Sequence, residues 1–165
     1  MRLPGHSGLA PGLALAAVVL VLDQITKLWA ERALTQFASV EVAPFFNLTL
    51  LYNPGAAFSL LADAGGWARW LLSGIAIAAG VLITIWLARL PRQAWLTIAS
   101  LGLIVGGAIG NLVDRLRIGK VVDFLDFHWA GYHWPAFNVA DMAITVGAVL
   151  LIVAAFTEGE ATRRD

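Results

Sequence analysis

The sequence predicts an all-α membrane protein in which four transmembrane helices carry a small β-sheet and an interfacial loop, and three observations carry that expectation. Of 165 residues, 59% are hydrophobic and only 13% charged, and the mean hydropathy is +0.78, far more apolar than a soluble domain of this size. Four apolar runs each approach the roughly 20 residues that a helix needs to cross the hydrocarbon core. Between the first two lies Phe45-Phe46-Asn47-Leu48-Thr49-Leu50-Leu51-Tyr52, closed by Asn53-Pro54-Gly55, a strand-like run ended by a turn signal.

The whole chain, 1–165, reads as one membrane domain. Its first span runs from about Leu9 to Trp29, the second from Trp67 to Ala88, the third from Ala94 to Val113, and the fourth from Ala136 to Phe156. Arg2 ahead of an apolar stretch containing Ala14-Leu15-Ala16 raises a removable signal peptide as the alternative for the first span. A cut there would fall inside the apolar run, so the span is expected to be retained. Only Arg89-Leu90-Pro91-Arg92 separates the second span from the third, which makes them an antiparallel pair. The other connections are excursions of about 31–66 and 114–135, both on one side of the membrane. The first should form a small sheet lying on the membrane. The second mixes Arg115, Arg117 and Lys120 with Val121, Val122, Phe124 and Trp129, as a half-buried interfacial segment would. Glu158 to Asp165 read as a polar tail.

Trp29, Trp67, Trp70, Trp86 and Trp95 fall near the edges of apolar runs, where amphipathic indoles settle at a membrane interface. Eleven basic and eleven acidic side chains leave no net charge, so nothing suggests a nucleic-acid partner. The absence of cysteine excludes disulfides, thiolate metal sites and a cysteine nucleophile. Four crossings put both termini on one side, but basic residues are nearly balanced across the membrane, and charge counting does not choose the orientation.

Ionisable groups at membrane depth are costly by a few kcal/mol or more, which makes each one a functional candidate. Asp141 follows Asn138 by three residues at the start of the fourth span, a spacing that also suits helix capping. Asp123 stands among Val121, Val122, Phe124 and Leu125, and Asp126 competes with it. Gly102, Gly106 and Gly110 bare one face of the third span for close helix approach, and Asn111 and Arg115 follow one turn apart, able to hold a peptide backbone or orient an acid. Asp23 and Lys27, four apart, read equally as a snorkelling interfacial ion pair or as part of a site. A transporter would place its acids nearer mid-span. A metal-dependent hydrolase built on Asp123, Asp126, Asp141, His128 and His133 lacks a His-Glu-x-x-His pattern, and a serine hydrolase lacks a Gly-x-Ser-x-Gly elbow.

Five motifs in order resemble the lipoprotein signal peptidase (signal peptidase II) family of bacterial intramembrane aspartyl proteases. They are Leu22-Asp23-Gln24-Ile25-Thr26-Lys27, Tyr52-Asn53-Pro54-Gly55-Ala56-Ala57-Phe58-Ser59, Gly106-Gly107-Ala108-Ile109-Gly110-Asn111-Leu112-Val113-Asp114-Arg115, Val121-Val122-Asp123-Phe124 and Phe137-Asn138-Val139-Ala140-Asp141. The resemblance implies a bacterial inner (cytoplasmic) membrane enzyme with cytoplasmic termini, a periplasmic sheet and an active site near the periplasmic face. It implies removal of signal peptides from diacylglyceryl-modified prolipoproteins just before the lipidated cysteine, among membrane lipids, without metal or cofactor, and inhibition by globomycin-like cyclic peptides. By the same resemblance Asp123 and Asp141 are the catalytic pair. Asn53, Gly107, Asn111, Arg115 and Asn138 surround them, and Asp23 and Lys27 belong to the first-span motif. The segment from Phe127 to Pro135 carries no family signal.

Overall fold

The structure, a computed structural model, describes residues 7–55 and 66–161, with side chains to residue 157. Arg2, the Ala56-Ala57-Phe58-Ser59 half of the second motif and the side chains of the polar tail lie outside the described residues. Among the described residues, four helices are long and apolar enough to cross a membrane: α1 (Leu9–Ala33), α2 (Trp67–Arg89), α3 (Trp95–Ile118) and α4 (Val139–Ala161). Gly119, with φ +77°, stops α3 with a left-handed cap that glycine adopts without strain, its N–H donating to the Arg115 carbonyl. α3 therefore runs past Val113, and Asp114, Arg115 and Arg117 ride on the helix instead of opening the second excursion. α4 begins three residues later than hydropathy suggests, because Phe137 exchanges backbone hydrogen bonds with Leu125 and stays extended.

α3 is the central helix, packed on α1, α2 and α4. A Cβ on Gly102 would lie 2.7 Å from the Gly12 carbonyl oxygen, and one on Gly106 2.7 Å from that of Ala16. The glycine stripe thus lets α1 and α3 touch backbone to backbone, as small residues do between membrane helices. It faces α1 and does not line a groove. The outward faces are apolar: Trp70 on α2 is 62% exposed and Ile152 on α4 61%, the inverse of a water-soluble bundle.

The two excursions join in a single antiparallel sheet of order β1 (Ser39–Ala43), β2 (Phe46–Asn53), β3 (Val121–Trp129) and β4 (Tyr132–His133). The segment expected as an interfacial loop is thus mostly strand. Ala130 and Gly131, with φ +50° and +82°, supply the two-residue turn from β3 to β4. β2 pairs with β3 over Asn53↔Val121, Leu51↔Asp123, Leu48↔Leu125 and Asn47↔Asp126, with a register shift between Leu48 and Leu51. Ala30, Leu50, Val122 and Phe124 form a buried cluster joined by Val139, which pins the sheet to the end of α1 and the start of α4.

Candidate active site

β3 enters the bundle carrying Asp123 inward, and its side chain is almost wholly buried. Asn53, at the end of β2, donates from Nδ2 to Asp123 Oδ2 at 3.1 Å. The Asn53 Oδ1 in turn accepts the Gly55 N–H at 2.9 Å, an Asx turn that fixes the amide. Asn138 donates from Nδ2 to Asp123 Oδ1 at 2.6 Å and to the Val122 carbonyl at 3.1 Å.

The same Asn138 is the N-cap of α4. Its Oδ1 accepts the Asp141 N–H at 2.9 Å, and its carbonyl accepts that of Met142 at 3.1 Å. One amide side chain therefore touches both acids, donating to one and capping the helix turn that carries the other. Asn111 Nδ2 completes the ring by donating to Asp141 Oδ1 at 2.7 Å. Asn138→Ala is expected to cost about 1–2 kcal/mol through the lost cap, which denaturation of the purified protein in detergent would measure; an unchanged midpoint would contradict it.

Burial, and after it the negative charge of Asp141, push the Asp123 carboxyl up to about 7, against the amide bonds from Asn53 and Asn138 and the Lys27 charge. Asp126 occupies a different site. Its pairing with Asn47 sets it three residues along the strand, beside His133 Nδ1 at 2.8 Å, with Thr49 and Asn47 donating at 3.3 and 3.4 Å. Although burial works the other way, the bond from His133 and then that from Asn47 hold Asp126 below the usual carboxylate range. The donor set that a metal hydrolase would need is thereby divided.

Asp23 and Lys27 do not snorkel. Lys27 Nζ lies 2.9 Å from Asp23 Oδ2 and 2.8 Å from Asp114 Oδ2, with all three side chains no more than 1% exposed. Lys27 also donates to Asn111 Oδ1 at 2.9 Å. The interfacial reading fails because α3 brings a second carboxylate and an amide to the ammonium, so the pair is solvated by protein. Arg115, half-buried, has Nη1 3.4 Å from the Asn111 carbonyl oxygen. Gly107 serves packing: a Cβ there would strike the Ala140 carbonyl oxygen and the Ile144 side chain.

A cavity of about 680 Å³ opens beside these groups, with Asn53, Asn111, Arg115 and Asp141 on its polar side and Leu72 and Met142 among its apolar walls. Trp134 and Pro135 also line it, although their stretch of sequence carried no signal. Asp114 and Gln24 are the other residues that sequence reasoning passed over. Both lie inside the motifs above, and the three-residue spacing of Asp114 from Asn111 and of Gln24 from Lys27 was the available clue.

The family model described as Signal peptidase (SPase) II matches residues 15–157. A relative from Hydrogenovibrio crunogenus named lipoprotein signal peptidase is 49% identical over 142 residues, 86% of this chain and 83% of the relative. One of the same name from Paraburkholderia phymatum is 52% identical over 149 residues, covering 90% of this chain and 89% of the relative. The fold is similar to a solved bacterial membrane enzyme with a TM-score of 0.80 at 29% identity, over 96% of this chain and 94% of that one. A match across most of the length, reached independently by family model, relatives and fold, means that this chain belongs to the signal peptidase II family.

Proposed function

We propose that the chain is a membrane aspartyl endopeptidase that removes the signal peptide from diacylglyceryl-modified prolipoproteins, cutting just before the lipidated cysteine. Asp123 and Asp141 are its reacting pair. The observation that carries this reading is the single Asn138 side chain bonded to both segments, donating to Asp123 and capping Asp141, beside a largely apolar cavity.

Two carboxyl groups can hydrolyse a peptide bond when one is ionised and takes a proton from water while the other, protonated, donates to the carbonyl oxygen or leaving nitrogen. Asp123, pushed up to about 7, is the proton holder. Asp141, at the positive end of α4 and bonded by the Asn111 amide, is the ionised base. Water attack gives a tetrahedral intermediate, and its collapse returns one proton to the pair. Arg115 and Asn53 are placed at the cavity wall to receive the extended peptide backbone, whose hydrogen bonds must be replaced once it leaves water. Leu72 and Met142 suit acyl chains. Globomycin-like cyclic peptides would occupy the same cavity.

In this reading the protein is a multi-pass protein of the bacterial inner membrane, with both termini cytoplasmic and the sheet and active site at the periplasmic face. Cleavage should fall as pH rises above about 7, because Asp123 then loses the proton that it must donate. A rate profile in detergent checks this, and a rate still climbing at pH 9 would contradict it. The test of the function itself is incubation of purified protein with a lipidated and an unlipidated prolipoprotein. Cleavage of the lipidated precursor alone is expected, and cleavage of neither would end the proposal.

A further inference from the structure

Behind the two acids lies a layer that the hydrolysis does not use. Asp23, Lys27 and Asp114 form a fully buried triad. Gln24 Nε2 reaches both carboxylates, at 3.1 Å from Asp23 Oδ2 and 3.3 Å from Asp114 Oδ1. The remaining oxygens are directed with a pattern. Asp114 Oδ2 accepts the Val122 N–H at 3.1 Å, and Asp23 Oδ1 accepts the Ala140 N–H at 2.9 Å. Val122 and Ala140 are the residues directly before Asp123 and Asp141.

Lys27 adds a constraint of a different kind. An ammonium carries donors only, so it can face just the oxygen end of the Asn111 amide, which it does at 2.9 Å. Asn138 Nδ2 approaches the same oxygen at 3.3 Å. The nitrogen of Asn111 is left to point at Asp141 Oδ1. An inverted amide would present a carbonyl to that carboxyl, an arrangement suited to its protonated form and repelling its ionised one.

Resting on the reading of Asp123 and Asp141 as the reacting pair, we infer that Asp23, Lys27 and Asp114 are positioning residues: the two carboxylates each anchor the backbone one residue ahead of a reacting acid, and Lys27 sets the Asn111 amide so that it favours ionised Asp141. Bundle packing alone needs none of this. A buried charged triad is costly to desolvate, and apolar residues of similar volume commonly pack as stably. Its presence fits a requirement for orientation.

The groups that face Lys27 are Asp23 on its own helix and Asp114 on α3, and its charge also acts on Asp123 on β3 and Asp141 on α4, the acids that Arg115 on α3 faces as well. Removing the cation while keeping the shape, as in Lys27→Met, makes a carboxylate in the pair harder to ionise. The acid limb of the cleavage profile should therefore move to higher pH, by about one unit or more, and kcat should drop roughly 10²-fold with KM little changed. Asp114→Asn keeps Lys27 and its contact to Asn111 but weakens the anchor at Val122. It should lower kcat without moving the pH profile.

Both variants would be assayed on lipidated prolipoprotein beside the unsubstituted protein, with folded protein quantified by thermal denaturation in detergent. A shifted profile in folded Lys27→Met with an unshifted one in Asp114→Asn supports the inference. Should Lys27→Met not fold, a folded Asp114→Asn with depressed kcat and unchanged KM still supports it. Wild-type kcat and profile in either folded variant overturn it, as does activity that falls only in proportion to folded protein. An unsubstituted chain that cleaves nothing removes the underlying reading, a result distinct from these.

Discussion

Asp123→Asn should lower prolipoprotein cleavage by about 10³-fold or more while the protein remains folded, since asparagine keeps the shape of the carboxyl but can neither hold nor return its proton. Its effect on stability divides into two opposed parts. In the folded protein Asp123 is raised to about 7, so between the ordinary carboxylate range and that value the folded state binds the proton more tightly than the unfolded one. Stability is thus lost as pH rises through this window, and the loss is complete above it. Asparagine removes that penalty. It also turns one N–H toward the Asn53 or Asn138 amide that now donates to a carboxyl oxygen, which costs a buried hydrogen bond. The denaturation midpoint near neutral pH should accordingly move little, and its dependence on pH between about 4 and 7 should flatten. Initial-rate assays and thermal denaturation from pH 4 to 8 would measure both effects. Near-normal turnover would refute the role of Asp123.

Gly107→Ala should be nearly as damaging, by a different route. The added Cβ meets the carbonyl oxygen of Ala140, a backbone atom that cannot rotate away. Overpacking of this kind typically costs 1–3 kcal/mol. Because Ala140 adjoins Asp141, the strain falls where α3 and α4 set the Asn111 to Asp141 contact. A displacement near 1 Å there is enough for roughly a 10²-fold loss of rate. Gly74→Ala on α2 is the matched control, since a Cβ there meets nothing within 4 Å. It should leave cleavage intact and hold or slightly raise stability, by up to about 1 kcal/mol. Equal losses in both variants would show that the Gly107 contact is not what matters.

The helices were legible because hydrocarbon imposes a length and a composition that can be counted. The Asn138 cap and the glycine stripe were legible because each depends on residues within a few positions of one another. The sheet was legible only in part. Phe45 to Gly55 carry a local strand and turn signal, but β3 is defined by pairing with β2 across a long sequence separation. The choice between Asp123 and Asp126 depended on that pairing too, since Asn47, Thr49 and His133 bind Asp126 and leave Asp123 to the bundle interior. The Asp23–Lys27 pair misled for a similar reason. Four-residue spacing is the same for an ion pair at a lipid interface and for one enclosed by another helix, and only the arrival of Asp114 and Asn111 on α3 separates the two.

That enclosed ammonium also constrains how the molecule is made. During synthesis α1 enters the bilayer long before α3 exists, so the newly made first helix must hold its charges with only each other and stray water for company. It is in that interval the least comfortable part of the chain in lipid. Docking of α3 relieves the mismatch by supplying a second anion and an amide, which makes the α1 to α3 encounter a step with a strong electrostatic pull and little tolerance for the wrong rotational setting. The charges of the first span and the partners waiting on α3 are therefore satisfied by one and the same event.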